Sequence, residues 1–194
     1  MTSPQAGTRK RATALLDELI KPLPAATYEC DTTWDRLEGA VSRIAENYGE
    51  LEMNPDFQRG HVWTDEQVAF IQNCLRNVVS SAGLLIQFNC ASWDDFEGAS
   101  IQGLPRGLQC VDGLQRYTAI TRFMKGEIRP FGLEVSQFQG TQYNPNNRKL
   151  RLAIHAIPTK EALLKLYLDL NSGGTVHSNE ELERVRQMLE EAKA

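Results

Sequence analysis

The chain has 194 residues, 41% of them hydrophobic and 24% charged, with a net charge of −4. That length supports a sizeable core, and the composition is that of an ordinary globular protein. The negative balance argues against a protein that coats nucleic acid, and no apolar run reaches the ~18–20 residues of a membrane span.

The opening MTSPQAGTRKRATALLDELI has basic residues but no apolar stretch behind them, so it is not a secretory signal. The spacing of Ala14, Leu15, Leu16, Leu19 and Ile20 predicts a helix over 9–20, ended by Pro22 and Pro24. Residues 1–30 are expected to form a helical extension and 31–194 the main domain. Thr32 or Thr33 is placed to cap a second helix running to about Tyr48, with Trp34, Leu37, Val41 and Ile44 as its buried stripe. Residues 51–63 have no clean period and read as an ordered loop or short strand, pinned by Phe57 and Trp63. Thr64 and Gln67 form a capping box for a helix over 65–79.

GLLIQFN (83–89) is a compact apolar run and predicts a strand. Residues 90–107 read as a long loop. LQCVD (108–112) predicts a second strand, and 114–126 a helix stopped by Gly126. The alternation in FGLEVSQF (131–138) suggests another strand, NPNN (144–147) a turn, and KLRLAIHAIP a strand ended by Pro158. Thr159 is placed to cap a helix through Leu170. Asn171, Ser172, Gly173 and Gly174 stop it, and Ser178 with Glu181 caps a last helix. Strands and helices do not alternate regularly, so the expected class is α+β with a small mixed sheet.

Cys30, Cys74, Cys90 and Cys110 show no CxxC spacing and the three histidines are dispersed, which argues against a zinc site and for reduced thiols in the cytoplasm. Residues 101–151 hold eight Lys/Arg against three acids, a local +5 that leaves −9 elsewhere. Such a segment is either a solvated basic face or the field around an anion site.

One stretch poses a chemical question. In LQCVDGLQRYTAI a strand runs through Asp112 and Gly113 into a helix with Gln115 and Arg116 in its first turn. A helix start carries partial positive charge, so a cation there is unfavourable unless an anion joins it. Gly113 permits close backbone approach, and Arg116 is suited to a bidentate grip on phosphate. Asp112 would repel that phosphate unless it binds Mg²⁺ or accepts a proton. The plainer alternative makes Asp112 an N-cap and Arg116 an exposed or ion-paired side chain.

Three segments in order, PDFQRGHVW (55–63), VDGLQR (111–116) and LDLNSGGTVHSNEEL (168–182), resemble the Asp-Gly-Gln-Gln-Arg domain of the ParB/sulfiredoxin-like superfamily. That domain forms the N-terminus of GmrSD-type modification-dependent restriction enzymes and occurs in SspE-type phage-defence proteins. The resemblance covers roughly residues 30–190 and implies a small mixed β-sheet of ParB/sulfiredoxin-like type wrapped by helices. It also implies a nucleotide-binding module of a phage-defence or mobile-element system, with NTP as substrate or ligand and Mg²⁺ as cofactor.

By match, Asp112, Gly113, Gln115 and Arg116 would face the triphosphate, with Asp112, Gln115 and Arg116 as the catalytic set and Asp112 as metal ligand. Gln58 and Arg59 would form the opposing wall, and Asn171 with Gly173 and Gly174 would close the pocket. Leu114 departs from the family pattern, which has a second glutamine there, and this bears on hydrolysis more than on fold. The restriction enzymes continue into a nuclease domain, whereas this sequence ends at Ala194 without a His-rich metal motif. The expected partners are therefore nucleotide together with DNA or a separate nuclease. The alternative is a non-catalytic ParB-like DNA-binding or regulatory protein.

Overall fold

The computed structural model describes residues 13–58, 65–93, 103–171 and 179–193. Five strands form one sheet: β1 (Tyr28–Thr33), β2 (Leu51–Glu52), β3 (Leu85–Cys90), β4 (Leu108–Asp112) and β5 (Lys149–His155). Their order is β1-β5-β3-β4-β2. The β1–β5 and β3–β4 pairs are antiparallel, and the β3–β5 and β2–β4 pairs are parallel. The sheet is mixed and the class is α+β, as the irregular succession of elements predicts.

A helix α1 (13–20) precedes β1, and helices lie on both faces of the sheet: α2 (Leu37–Tyr48), α3 (Asp65–Leu75), α4 (Leu114–Met124), α5 (Lys160–Asn171) and α6 (Asn179–Lys193). Strand side chains alternate between faces, and this divides the core in two. Ile86, Phe88, Cys110 and Leu152 pack with Trp34, Leu37, Val41, Ile71, Ile120 and Phe123 from the α2–α4 side. Val111 packs with Phe57, Ile157, Leu163, Leu164, Tyr167 and Val185 from the α5–α6 side. β3 carries Gln87 and Asn89 on its second face, and both are buried. Asn89 grips the chain leaving β5 at both ends of its amide, donating to the Ile157 carbonyl at 3.1 Å and accepting from the Ile157 N–H at 2.9 Å.

Several sequence expectations change. Thr32 and Thr33 cap no helix through their side chains. They end β1, and a 3₁₀ turn at Trp34–Arg36 intervenes before α2. Residues 131–138 are not a strand but two 3₁₀ turns, Pro130–Gly132 and Val135–Phe138. Phe131 and Gly132 both have positive φ, which breaks an extended run, and Glu134 and Gln137 form a reciprocal capping box around the second turn. Its apolar residues still serve the core: Phe138 meets Phe123 edge-on at 5.7 Å.

Helix α3 stops at Leu75, four residues early, as the chain turns through Asn77 at φ 59°. Thr159 does accept from the Ala162 N–H, at 3.3 Å, at the start of α5. In α1 the apolar Leu15, Leu16, Leu19 and Ile20 are exposed. The capping residues Thr64 and Ser178 lie outside the described residues, as does Trp63.

Candidate functional site

The strand–turn–helix forms where the sequence places it. β4 ends at Asp112 and α4 begins at Leu114, with Gly113 between them in the left-handed region at φ 96°. Glycine is needed there for two reasons. L side chains rarely adopt that φ, and a Cβ would stand 3.1 Å from the Ile86 Cα of β3. Next to it the β3–β4 register skips: Phe88 pairs with Cys110 and Gln87 with Asp112, leaving Val111 opposite no residue. Such a bulge bends the strand and re-aims the side chains beside it. It breaks the alternation of β4 just before the turn and brings Asp112 level with Gln87.

Arg116 folds back from the first turn of α4 onto that strand end. Its Nη2 donates to both Asp112 carboxylate oxygens, at 2.8 and 3.1 Å, and its Nη1 donates to the Leu85 carbonyl of β3. The ion pair is about a quarter exposed on each side. The ion-paired alternative for Arg116 therefore describes this conformation. Asp112, held by Arg116, does not cap α4, and no other side chain among the described residues does. The first intrahelical bond runs from the Tyr117 N–H to the Gly113 carbonyl. The N–H groups of residues 114–116 thus precede it, as at any helix start.

Gln115 is half-buried, and its amide oxygen is shielded from solvent without a hydrogen-bond partner among the described residues. Leu114 packs against the α2–α4 core. The position where the motif resemblance implies a second glutamine is a packing position here.

Gln58 is buried and reaches the same strand, donating from Nε2 to the Cys110 carbonyl at 2.6 Å. Its own carbonyl accepts from Arg184 of α6 at 3.2 Å, and its neighbour Phe57 meets Tyr167 of α5 edge-on at 5.2 Å. The segment around Gln58, the end of β4 and the α5–α6 pair therefore converge on one side of the sheet. Asn171, the last residue of α5, turns its amide onto its own helix, donating to the Tyr167 carbonyl at 2.7 Å. Arg59, Gly173 and Gly174 lie outside the described residues.

Sequence reasoning missed the Leu85 carbonyl, which anchors Arg116, and it missed Gln87. The Gln87 amide oxygen lies 3.1 Å from His155 Nε2 on β5, so a polar row crosses the sheet from Asp112 to His155. The available signal was a glutamine inside the apolar run GLLIQFN. Burial pushes the His155 pKa down and the Cys110 thiol up to about 12.

The basic segment is largely compensated. Arg122 pairs with Glu127, Lys125 with Glu38, Arg129 with Glu134, and Arg151 with Glu29 and Asp31. This favours the solvated basic face over a broad positive field.

Among the described residues no helix is long and apolar enough to cross a membrane. No curated protein and no solved structure matches the chain. A family model described as "GmrSD restriction endonuclease, N-terminal domain" matches residues 37–191, a span that runs from the start of α2 into α6 and takes in Gln58, the Asp112–Arg116 turn and Asn171. With four-fifths of its length inside that match, the chain belongs to the family of GmrSD restriction endonuclease N-terminal domains.

Proposed function

We propose that this chain is a nucleotide-binding module of a cytoplasmic phage-defence restriction system, with the phosphates of an NTP held at the start of α4. The observation that carries the reading is the α4 N-terminus, uncapped among the described residues, with Arg116 in its first turn. Backbone N–H groups and a guanidinium there suit an anion, and Gly113 keeps the turn free of a side chain. Arg116 would exchange part of its grip on Asp112 for a phosphate oxygen. Gln115 brings an acceptor that lacks a donor among the described residues. Gln58 braces β4 from the α6 side. Arg59, Gly173 and Gly174 join the site on the strength of the motif match alone.

Among the described residues no group of three His, Cys, Asp or Glu side chains could hold a metal ion. Mg²⁺ commonly takes one or two carboxylates and completes its shell with phosphate and water. Asp112 fits the part of that single carboxylate, and the ion would neutralise charge on the phosphates. A nuclease acting on DNA is the activity that this role would serve.

A second reading, nucleotide binding without hydrolysis, has its own support. Both Asp112 oxygens accept from Arg116, and Leu114 faces the core, so neither is a free base or water-orienting group.

The test is calorimetric titration of the four NTPs with Mg²⁺, comparing Arg116→Ala with Arg129→Ala. Loss of this charge-assisted contact should weaken binding by about 2–3 kcal/mol. Loss of the exposed Arg129 should cost only a few tenths of a kcal/mol. Absence of binding by any nucleotide, or equal losses in both variants, would reject the phosphate site. A phosphate-release assay on the wild type then separates the two readings.

A further inference from the structure

A groove of about 500 Å³ lies three strands away from Asp112, between β1 and α2. Cys30, Asp31, Thr32 and Thr33 all line it. Successive strand residues point to opposite faces, so a groove touched by four in a row runs along the edge of the strand. That edge is free among the described residues, because β1 ends the sheet and pairs with β5 alone.

The opposite wall is one face of α2. Ala40 and Ile44, a single helical turn apart, give it an apolar centre, flanked by Arg36 and Arg43. Lys149 adds a third cation. Most cations elsewhere on the sheet and α4 have a carboxylate; these three form no ion pair among the described residues. Asp31 shares Arg151 with Glu29, at 3.0 and 3.4 Å, and among the groove's own lining residues three cations face this one carboxylate, so its net charge is positive.

We infer that this groove takes an extended acidic peptide segment of a partner protein, which adds to β1 as a sixth strand. A strand edge offers N–H donors and C=O acceptors in alternation, and a peptide backbone matches both. A DNA backbone presents acceptors alone and would leave the strand carbonyls opposed to phosphate. Ala40 and Ile44 suit one apolar side chain of the guest, and Arg36, Arg43 and Lys149 suit Asp or Glu on either side of it.

The charge also excludes two nearer occupants. The chain's own residues 1–12 contain Arg9, Lys10 and Arg11 and no acid. A second copy paired edge to edge through β1 would bring two sets of unpaired cations together. The inference is independent of the nucleotide site.

The test uses the full chain and a fluorescent hexapeptide of alternating Glu and Val. The controls are its Lys-for-Glu counterpart, a copy N-methylated at alternate residues, and a single-stranded oligodeoxynucleotide of similar length. The Glu peptide should raise anisotropy saturably and slow amide exchange in residues 28–33. Arg43→Glu and Lys149→Glu should each weaken it by about tenfold, and N-methylation should abolish it. Both sites are charged residues outside the core, so unchanged melting temperatures would verify the fold of the variants. Equal binding by the Lys or methylated peptide overturns the proposal, as does binding of the oligonucleotide in place of the peptide. Failure of every probe to bind also overturns it, and would leave the charges as protection of a bare edge against aggregation.

Discussion

Arg116 holds both carboxylate oxygens of Asp112 across one turn of α4 while its other terminal nitrogen holds the Leu85 carbonyl of β3. The residue is a clasp between helix and sheet before it is anything else. Arg116→Ala should therefore destabilise the apo protein by about 1–3 kcal/mol, since it strips a charged partner and a carbonyl partner together. Arg116→Lys should recover little of this, because an ammonium lacks the planar fork that spans the three oxygens. Urea denaturation of the three proteins decides it. A lysine variant as stable as the wild type would mean that charge alone matters.

Gly113→Ala meets two obstacles at once, a left-handed φ and the Ile86 Cα 3.1 Å from the new methyl. A loss of about 1–3 kcal/mol is expected. Gly126, also at positive φ but with open space around its position, serves as the control. Gly126→Ala should cost only the backbone term of about 1 kcal/mol. Equal losses in thermal unfolding would show that contact with β3 is unimportant.

Leu114→Gln introduces the glutamine that the motif resemblance implies, yet the position packs against the α2–α4 core. The expected outcome is a stability loss of about 1 kcal/mol, with no gain in NTP turnover. An increase in kcat at unchanged nucleotide affinity would show that the side chain reaches the reacting phosphate after all.

His155 sits in the sheet with its pKa lowered, chiefly by burial. The unfolded chain therefore binds its proton more readily than the folded one. Stability from this group is intact above the unfolded value of 6.5 and falls as pH drops through that value towards the lower folded one. His155→Gln should flatten that part of the stability–pH curve, read as urea midpoints between mildly acid and neutral pH. An unchanged slope would assign the acid sensitivity to other groups.

Thiol chemistry gives a further check. Cys74 and Cys110 are buried and their pKa values are pushed up to about 12, while Cys30 is only half-buried. In native protein at mildly alkaline pH, Cys30 should be alkylated first and Cys110 only on unfolding. Rapid native labelling of Cys110, followed by peptide mass mapping, would contradict the packing around β4.

The sequence made β3, β4, α4 and β5 legible because each is a sustained pattern with a sharp stop, as at Gly113. β1 was not, because YECDTT is mostly polar and Trp34 begins a helical stripe directly after it. A strand at the sheet edge needs few apolar residues, so periodicity is weak there. The failure at 131–138 is of the opposite kind: real alternation, produced by turns that happen to bury Pro130 and Phe138. At the candidate site the motif located Asp112, Gly113 and Arg116 together. The Leu85 carbonyl that Arg116 also holds and the bulge beside the turn belong to β3, twenty-odd residues earlier in the chain, and no local pattern reports such pairing.

The strand order has a consequence for how the chain is made. β1 is the first strand to leave the ribosome, and β5, which lies between it and β3, is the last. Until residue 155 has been synthesised, β1 has no partner and β3 is paired on one side only. Contacts this distant in sequence form slowly, and folding of the sheet must wait until β5 has been made. A nascent chain stalled before Lys149 should therefore expose two strand edges that the finished protein joins, and it is the form most in need of a chaperone.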